Sequence, residues 1–180
     1  VEIVLSAERV VTWNAGLRIQ VWNASTGDAA GELSGHRNSL TAGAVFPSGD
    51  RVVSVGRDAT AIVWDVATCW SLRVIVGVGL VSQIVVLPGN EVVATMSPHR
   101  AVKLWDVTSG KLVQTLSMPR EWIHGPHWLA TPQRGERLFA WNVAGGIAGW
   151  DTTSGQELFQ VATWPNTTYV VEVGAGNDVL

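Results

Sequence analysis

The chain has 180 residues, 47% of them hydrophobic and 15% charged, with a formal net charge of −3. That length can bury a substantial core, and the mild acidity with no run of like charge leaves no electrostatic footprint for nucleic acid. No apolar stretch approaches the ~20 residues of a membrane helix, and a single cysteine, Cys69, excludes an internal disulfide framework and fits a reducing compartment.

The opening VEIVLSAERVV carries no basic leader, so the expected location is cytoplasmic and the Asn-x-Ser/Thr tripeptides at Asn23 and Asn166 are expected to be unmodified. Short alternating apolar runs separated by Gly, Asp and Asn predict strands throughout. In chain order they are expected at 1–5, 9–13, 18–22 and 30–33, then 40–46, 51–55, 60–64 and 71–76. The second half continues with 81–87, 91–96, 101–105 and 111–116, then 125–130, 137–141, 146–150 and 157–161. No run shows helical periodicity, so the expected class is all-β.

The stretch Val52 to Asp65, VVSVGRDATAIVWD, is the clearest unit: two half-buried strands around a polar turn. Its closing dipeptide recurs. Trp22-Asn23, Trp64-Asp65, Trp105-Asp106 and Trp150-Asp151 stand at intervals of 42, 41 and 45 residues, and account for four of the ten tryptophans. The segments that follow are NASTG, DVATC, DVTSG and DTTSG. An Asx side chain accepts from backbone N–H groups just downstream and Gly supplies positive φ, so these carboxylates read as turn formers. Cys69 stands where the other three repeats have Gly, which demands either a different turn or an uncommon backbone conformation.

Ten residues before each of these tryptophans lie Thr12, Ser54, Thr95 and Ala140; six before lie Gly16, Asp58, His99 and Ala144. A Gly35-His36 pair precedes the second unit. Periods in the 40s with a Gly-His opener and a Trp-Asp close point to propeller blades of four strands. In these motifs the chain resembles the WD-repeat family over essentially its whole length. The resemblance implies a β-propeller of four-stranded antiparallel blades, and a hydrogen-bonded set of His36, Ser54, Asp58 and Trp64 that is complete in the second repeat. It also implies one segment over 1–180, with repeats at roughly 1–34, 35–76, 77–117 and 118–162 and the start of a fifth at 163–180. Gly176-Asn177-Asp178-Val179-Leu180 parallels Gly89-Asn90-Glu91-Val92-Val93, so the expectation is a piece of a longer ring whose further blades are among its partners. A closed four-bladed ring is the alternative.

A His-Ser-Asp trio also invites a hydrolase reading. The absence of a Gly-x-Ser-x-Gly elbow and the mid-strand position of Ser54 between Val53 and Val55 argue against it. His124 and His127 are three apart without a third ligand, so no metal is expected. Ala144-Gly145-Gly146 lacks the Lys-Ser/Thr of a phosphate loop. No cofactor is expected. Trp13, Trp70, Trp128 and Trp141 are assigned to core or inter-blade packing. Trp122 and Trp164 lie 42 residues apart in segments entering the fourth and fifth repeats. They are read as exposed anchors for a partner, with filling of a gap left by a missing His as the other reading.

The function implied is a non-catalytic scaffold that presents connecting loops to other proteins or peptides. The expected surface comprises Arg37, Asn38, Arg57, His99, Arg100, Trp122, His124 and Trp164. Two alternatives stand beside it. LWDVTSGKLVQ and GWDTTSGQELF also suit the Asp-x-x-Thr-Gly turn of quinoprotein-type propeller oxidoreductases, and the segment is also compatible with a regulatory propeller of a larger multidomain protein.

Overall fold

The computed structural model describes residues 2–5, 9–13, 17–97, 101–119, 122, 127–132 and 136–161, and within these all regular structure is strand. The first sheet is built from β1 (Glu2–Leu5), β2 (Arg9–Trp13), β3 (Ile19–Asn23) and β4 (Ala29–Leu33). The second is built from β5 (Leu40–Val45), β6 (Arg51–Gly56), β7 (Thr60–Asp65) and β8 (Ser71–Val76). The third has β9 (Gln83–Val86), β10 (Val92–Ser97), β11 (Ala101–Asp106) and β12 (Leu112–Ser117). The fourth has β13 (Trp128–Ala130), β14 (Arg137–Trp141), β15 (Ile147–Asp151) and β16 (Glu157–Val161). Each sheet is an antiparallel meander in sequence order. The part of the chain expected to begin a fifth repeat lies outside the described residues.

First strands of successive sheets touch one another, β1 on β5, β5 on β9 and β9 on β13, so they form the inner wall and the fourth strands form the rim. The core lies between sheets. One cluster joins Val11, Ile19 and Val21 of the first sheet to Val52, Ile62 and Trp64 of the second. A second joins Val53, Val63 and Ile75 to Ile84, Val93 and Trp105. A third joins Met96, Val102 and Leu104 to Leu138, Ala148 and Trp150. Four antiparallel sheets packed face to face around a common inner wall are the blades of a β-propeller.

This packing explains one difference from the sequence reading. β6 and β7 are sandwiched between neighbours, so both of their faces are buried and their alternation is not the half-buried kind.

A bulge recurs at the same place in every blade. The ladder between third and fourth strands shifts register at Val21/Trp22, Val63/Trp64, Leu104/Trp105 and Gly149/Trp150. The turn just after each Trp sets it up. Asp65 Oδ1 accepts from the Thr68 N–H at 2.7 Å and its hydroxyl at 2.8 Å. Asp106 does the same with Ser109 and Asp151 with Ser154, while Asn23 accepts from the Ser25 and Thr26 N–H groups. Cys69 takes φ 61°, matching Gly27, Gly110 and Gly155 at 77°, 72° and 72°. Cys69 therefore takes the backbone conformation that Gly takes in the other three turns, and bears it as an uncommon one.

Candidate functional site

Four side chains of the second blade converge where the segment leading into β5 crosses the β6–β7 turn. The Trp64 indole N–H donates to Ser54 Oγ at 2.8 Å, and Ser54 Oγ lies 2.8 Å from His36 Nε2. His36 Nδ1 faces the Asp58 carboxylate at 3.1 Å. With one imidazole proton on Nδ1, every donor and acceptor along this chain is matched: indole N–H to hydroxyl, hydroxyl to Nε2, Nδ1–H to carboxylate.

Asp58 ties the set to the backbone. It accepts from the Arg37 N–H at 2.7 Å, the Thr60 N–H at 3.1 Å and the Thr60 hydroxyl at 2.7 Å. Burial alone would raise the Asp58 pKa, but these hydrogen bonds, led by the Thr60 hydroxyl, outweigh it and hold the group at about 2. Gly56 makes the cluster possible, because a Cβ there would sit 2.6 Å from His36 Nδ1 and 2.8 Å from Asp58 Oδ1. That requirement is one of space, and nothing in the repeat spacing signals it.

The arrangement carries no nucleophile. Ser54 is 3% exposed, and its hydroxyl sits between the Trp64 indole and the His36 ring. The other blades keep part of the set. Trp22 donates to Thr12 Oγ1 at 2.8 Å and Trp105 to Thr95 Oγ1 at 2.9 Å.

The fourth blade solves the same space differently. Trp122 stands 28 residues before Trp150, the interval that separates His36 from Trp64. Ala140 replaces the hydroxyl, Ala144 the carboxylate and Gly146 the Thr60 position. The indole fills the room so released: Trp122 is 2% exposed, and a Cβ on Gly146 would fall 2.6 Å from its Nε1. Asn142 Oδ1 accepts from the Ala144 N–H at 3.0 Å and the Gly146 N–H at 2.9 Å, holding the turn that Asp58 holds in the second blade. Of the two readings of Trp122, the exposed anchor is therefore corrected and the filling of the gap left by a missing His holds: it is a core residue in the histidine's place. The interval to Trp150, rather than that to Trp164, was the informative one.

Two further tryptophans depart from their core assignment. Trp70 is 75% exposed and Trp128 43% exposed. Trp128 stacks on Trp141 with ring centres 6.1 Å apart, whereas Trp13 is buried over Gly43 of β5.

Of the expected partner surface, Arg37, Asn38 and Arg57 are exposed and adjacent. The Arg57 N–H donates to Ser39 O at 2.8 Å, and Asp58 grips Arg37 from beneath, so the two loops are knitted together. His99, Arg100, His124 and Trp164 lie outside the described residues. His127 is exposed, and among the described residues no group of three His, Cys, Asp or Glu could hold a metal ion.

No family model matches the chain. It is 34% identical over 89 residues to the eukaryotic translation initiation factor 3 subunit I of Debaryomyces hansenii, covering 49% of this chain and 26% of that protein. It is 25% identical over 178 residues to the nuclear distribution protein nudF of Aspergillus niger, covering 87% of this chain and 38% of that one. The chain thus spans well under half the length of these curated relatives. Among solved structures, the hydrazine synthase of Kuenenia stuttgartiensis superposes with a TM-score of 0.75 at 18% identity, over 88% of this chain and 47% of that chain. That likeness is one of fold.

Proposed function

Since the chain belongs to the WD-repeat family, as its curated relatives do, we propose that it is a non-catalytic, cytoplasmic scaffold whose loops on the His36 side of the blades bind a protein partner. The observation that carries the reading is the knitted pair of loops at Arg37, Asn38 and Arg57. The buried His36–Asp58 bond fixes both backbones, so two guanidinium groups are presented on a rigid support. Neither forms an ion pair within the described residues, which suits a partner segment bearing carboxylates. Paired Arg is the donor of choice for bidentate recognition of such groups.

The catalytic alternative has less support. Both hydroxyls beside the His36–Asp58 pair are committed: Ser54 to buried hydrogen bonds with Trp64 and His36, and Thr60 to the Asp58 carboxylate. Affinity capture with the chain and with its Arg37→Glu/Arg57→Glu form tests the scaffold reading. The charge-reversed form should lose the specific set of bound proteins while keeping the urea midpoint of the parent. An unchanged set of captured proteins would refute the assignment of this surface.

A further inference from the structure

The His36 side of the blades and the side opposite it differ in charge. In the second, third and fourth blades each second strand starts at or just after a carboxylate, and each third strand closes on another. The pairs are Asp50 with Asp65, Glu91 with Asp106 and Glu136 with Asp151, all at the end away from His36. Arg51, Lys111 and Arg137 at that end offset only part of this charge. On the His36 side, the loops of these blades hold, among the described residues, no Asp, Glu, Lys or Arg other than Arg37, Arg57 and Asp58. Asp58 is spent on His36, on the Arg37 N–H and on Thr60. The exposed charge there is therefore positive, in a chain whose net charge is −3. A field of this polarity turns an acidic partner towards the His36 side before contact.

Asn38 follows Arg37 directly and is exposed. Its side-chain carbonyl accepts from the Ser39 N–H at 2.8 Å, with the Ser39 hydroxyl at 3.5 Å. A backbone N–H can only donate, so the amide is held in one orientation and its NH2 group is the part left for a ligand. Ser39 is fixed in turn, because its carbonyl accepts from the Arg57 N–H at 2.8 Å. Asn38 is thus a donor of fixed position, whereas the two guanidinium groups ride on long stems. A side chain already held before contact loses little freedom on binding.

We infer that Asn38 sets the specificity of this surface, which takes an acidic segment of a partner protein bearing two neighbouring carboxylates. The inference rests on the reading of Arg37 and Arg57 as partner-binding residues and adds to it the group that discriminates. Two guanidinium groups balance two carboxylates, and each can hold one through paired hydrogen bonds. The Asn38 NH2 group donates to a remaining lone pair of one carboxylate. An approaching Lys, Arg or amide N–H meets donors alone, and a mismatch of this kind rejects the wrong partner. The arginines supply charge, and Asn38 supplies direction.

Magnetic-resonance titration of the isotope-labelled full chain with a Gly/Ser peptide carrying two adjacent Glu tests this, at low ionic strength so that surface charges stay unscreened. The Asn38 side-chain amide signals should move as the peptide binds. Asn38→Asp keeps an acceptor for the Ser39 N–H, so the urea midpoint should hold, but it should weaken binding about tenfold or more by setting like charges face to face. Asn38→Ala, which removes the donor without adding charge, serves as the second variant and should weaken binding about threefold or more. Binding that needs Arg37 and Arg57 yet tolerates both Asn38 variants would overturn the role of Asn38 and leave the arginine surface standing. No binding, or binding that survives Arg37→Glu/Arg57→Glu, would remove the surface and this inference together. Tighter binding of the same peptide with one phosphoserine in place of the Glu pair would overturn the carboxylate pair in favour of a phosphoryl group.

Discussion

Gly31 and Cys69 form a matched pair across two blades, and exchanging their sizes offers a quantitative test of how blades recognise neighbours. The residue just past each rim bulge is Gly31, Arg73 or Gln114, and the next blade's turn places Cys69, Gly110 or Gly155 against it. A Cβ on Gly31 would fall 2.4 Å from Cys69 Sγ, while the Gln114 side chain occupies the space above Gly155 and donates from Nε2 to Ser154 O at 3.1 Å. Gly31→Gln alone overpacks the contact and should cost about 1–3 kcal/mol. Cys69→Gly alone removes a left-handed non-Gly residue, worth about 1–2 kcal/mol, but loses the thiol contact and loosens the unfolded chain by about 0.5–1 kcal/mol. Its net effect should be small. The double variant recreates the Gln114–Gly155 arrangement, with the introduced amide within reach of the Thr68 carbonyl. Urea unfolding of the four proteins, followed by circular dichroism, gives the coupling energy, expected at about 1–3 kcal/mol in favour of the pair. Additivity within about 0.5 kcal/mol would show that the two residues do not sense each other, and the size-matching argument would fail.

Asp58→Ala should cost about 1–3 kcal/mol near neutral pH by leaving His36 and two backbone N–H groups without their acceptor. The folded pKa of about 2 lies below the ordinary 3.8, so the stabilisation is complete above that value and is lost as pH falls towards 2. The gap between parent and variant, followed by urea midpoints across that window, should close by about 2 kcal/mol; a gap independent of pH would contradict the linkage. Gly56→Ala drives a methyl into the His36–Asp58 contact and should destabilise by about 1–3 kcal/mol, read as a lower melting temperature without loss of strand content. Trp122→Ala should cost about 3–5 kcal/mol, and a melting temperature equal to that of the parent would return Trp122 to the surface.

Much of the architecture was legible because a propeller repeats its own signals. The resemblance to the WD-repeat family implied a set of His36, Ser54, Asp58 and Trp64, four side chains that lie far apart along the chain, and the structure brings them within hydrogen-bonding distance of one another. The Asx-to-Gly spacing likewise located the turns, including the strained one at Cys69. What escaped were contacts between blades. Gly31 against Cys69, and Trp13 over Gly43, depend on which rim or wall residue a neighbour presents, and no periodicity within a repeat encodes that. Trp70 escaped for a related reason. A large apolar residue beside a strand reads as core, whereas at the rim the blades diverge and leave it in water. For Trp122 two readings stood open, an exposed anchor and a filler where the His is missing, and its distance to Trp150, which matches the histidine's place, picks the second.

The replacement of imidazole and carboxylate by an indole gives the second and fourth blades different sensitivities. The second blade is fastened partly by an ionised group, so acid loosens it while cooling has little direct effect on that fastening. The fourth blade fills the same space with apolar surface, whose stabilisation fades in the cold and ignores protons. Acid and cold should therefore open opposite halves of the molecule first, and amide exchange under the two conditions should protect different blades. Repeats that look interchangeable by spacing would then behave as separate local folding units, each answering to its own solvent variable.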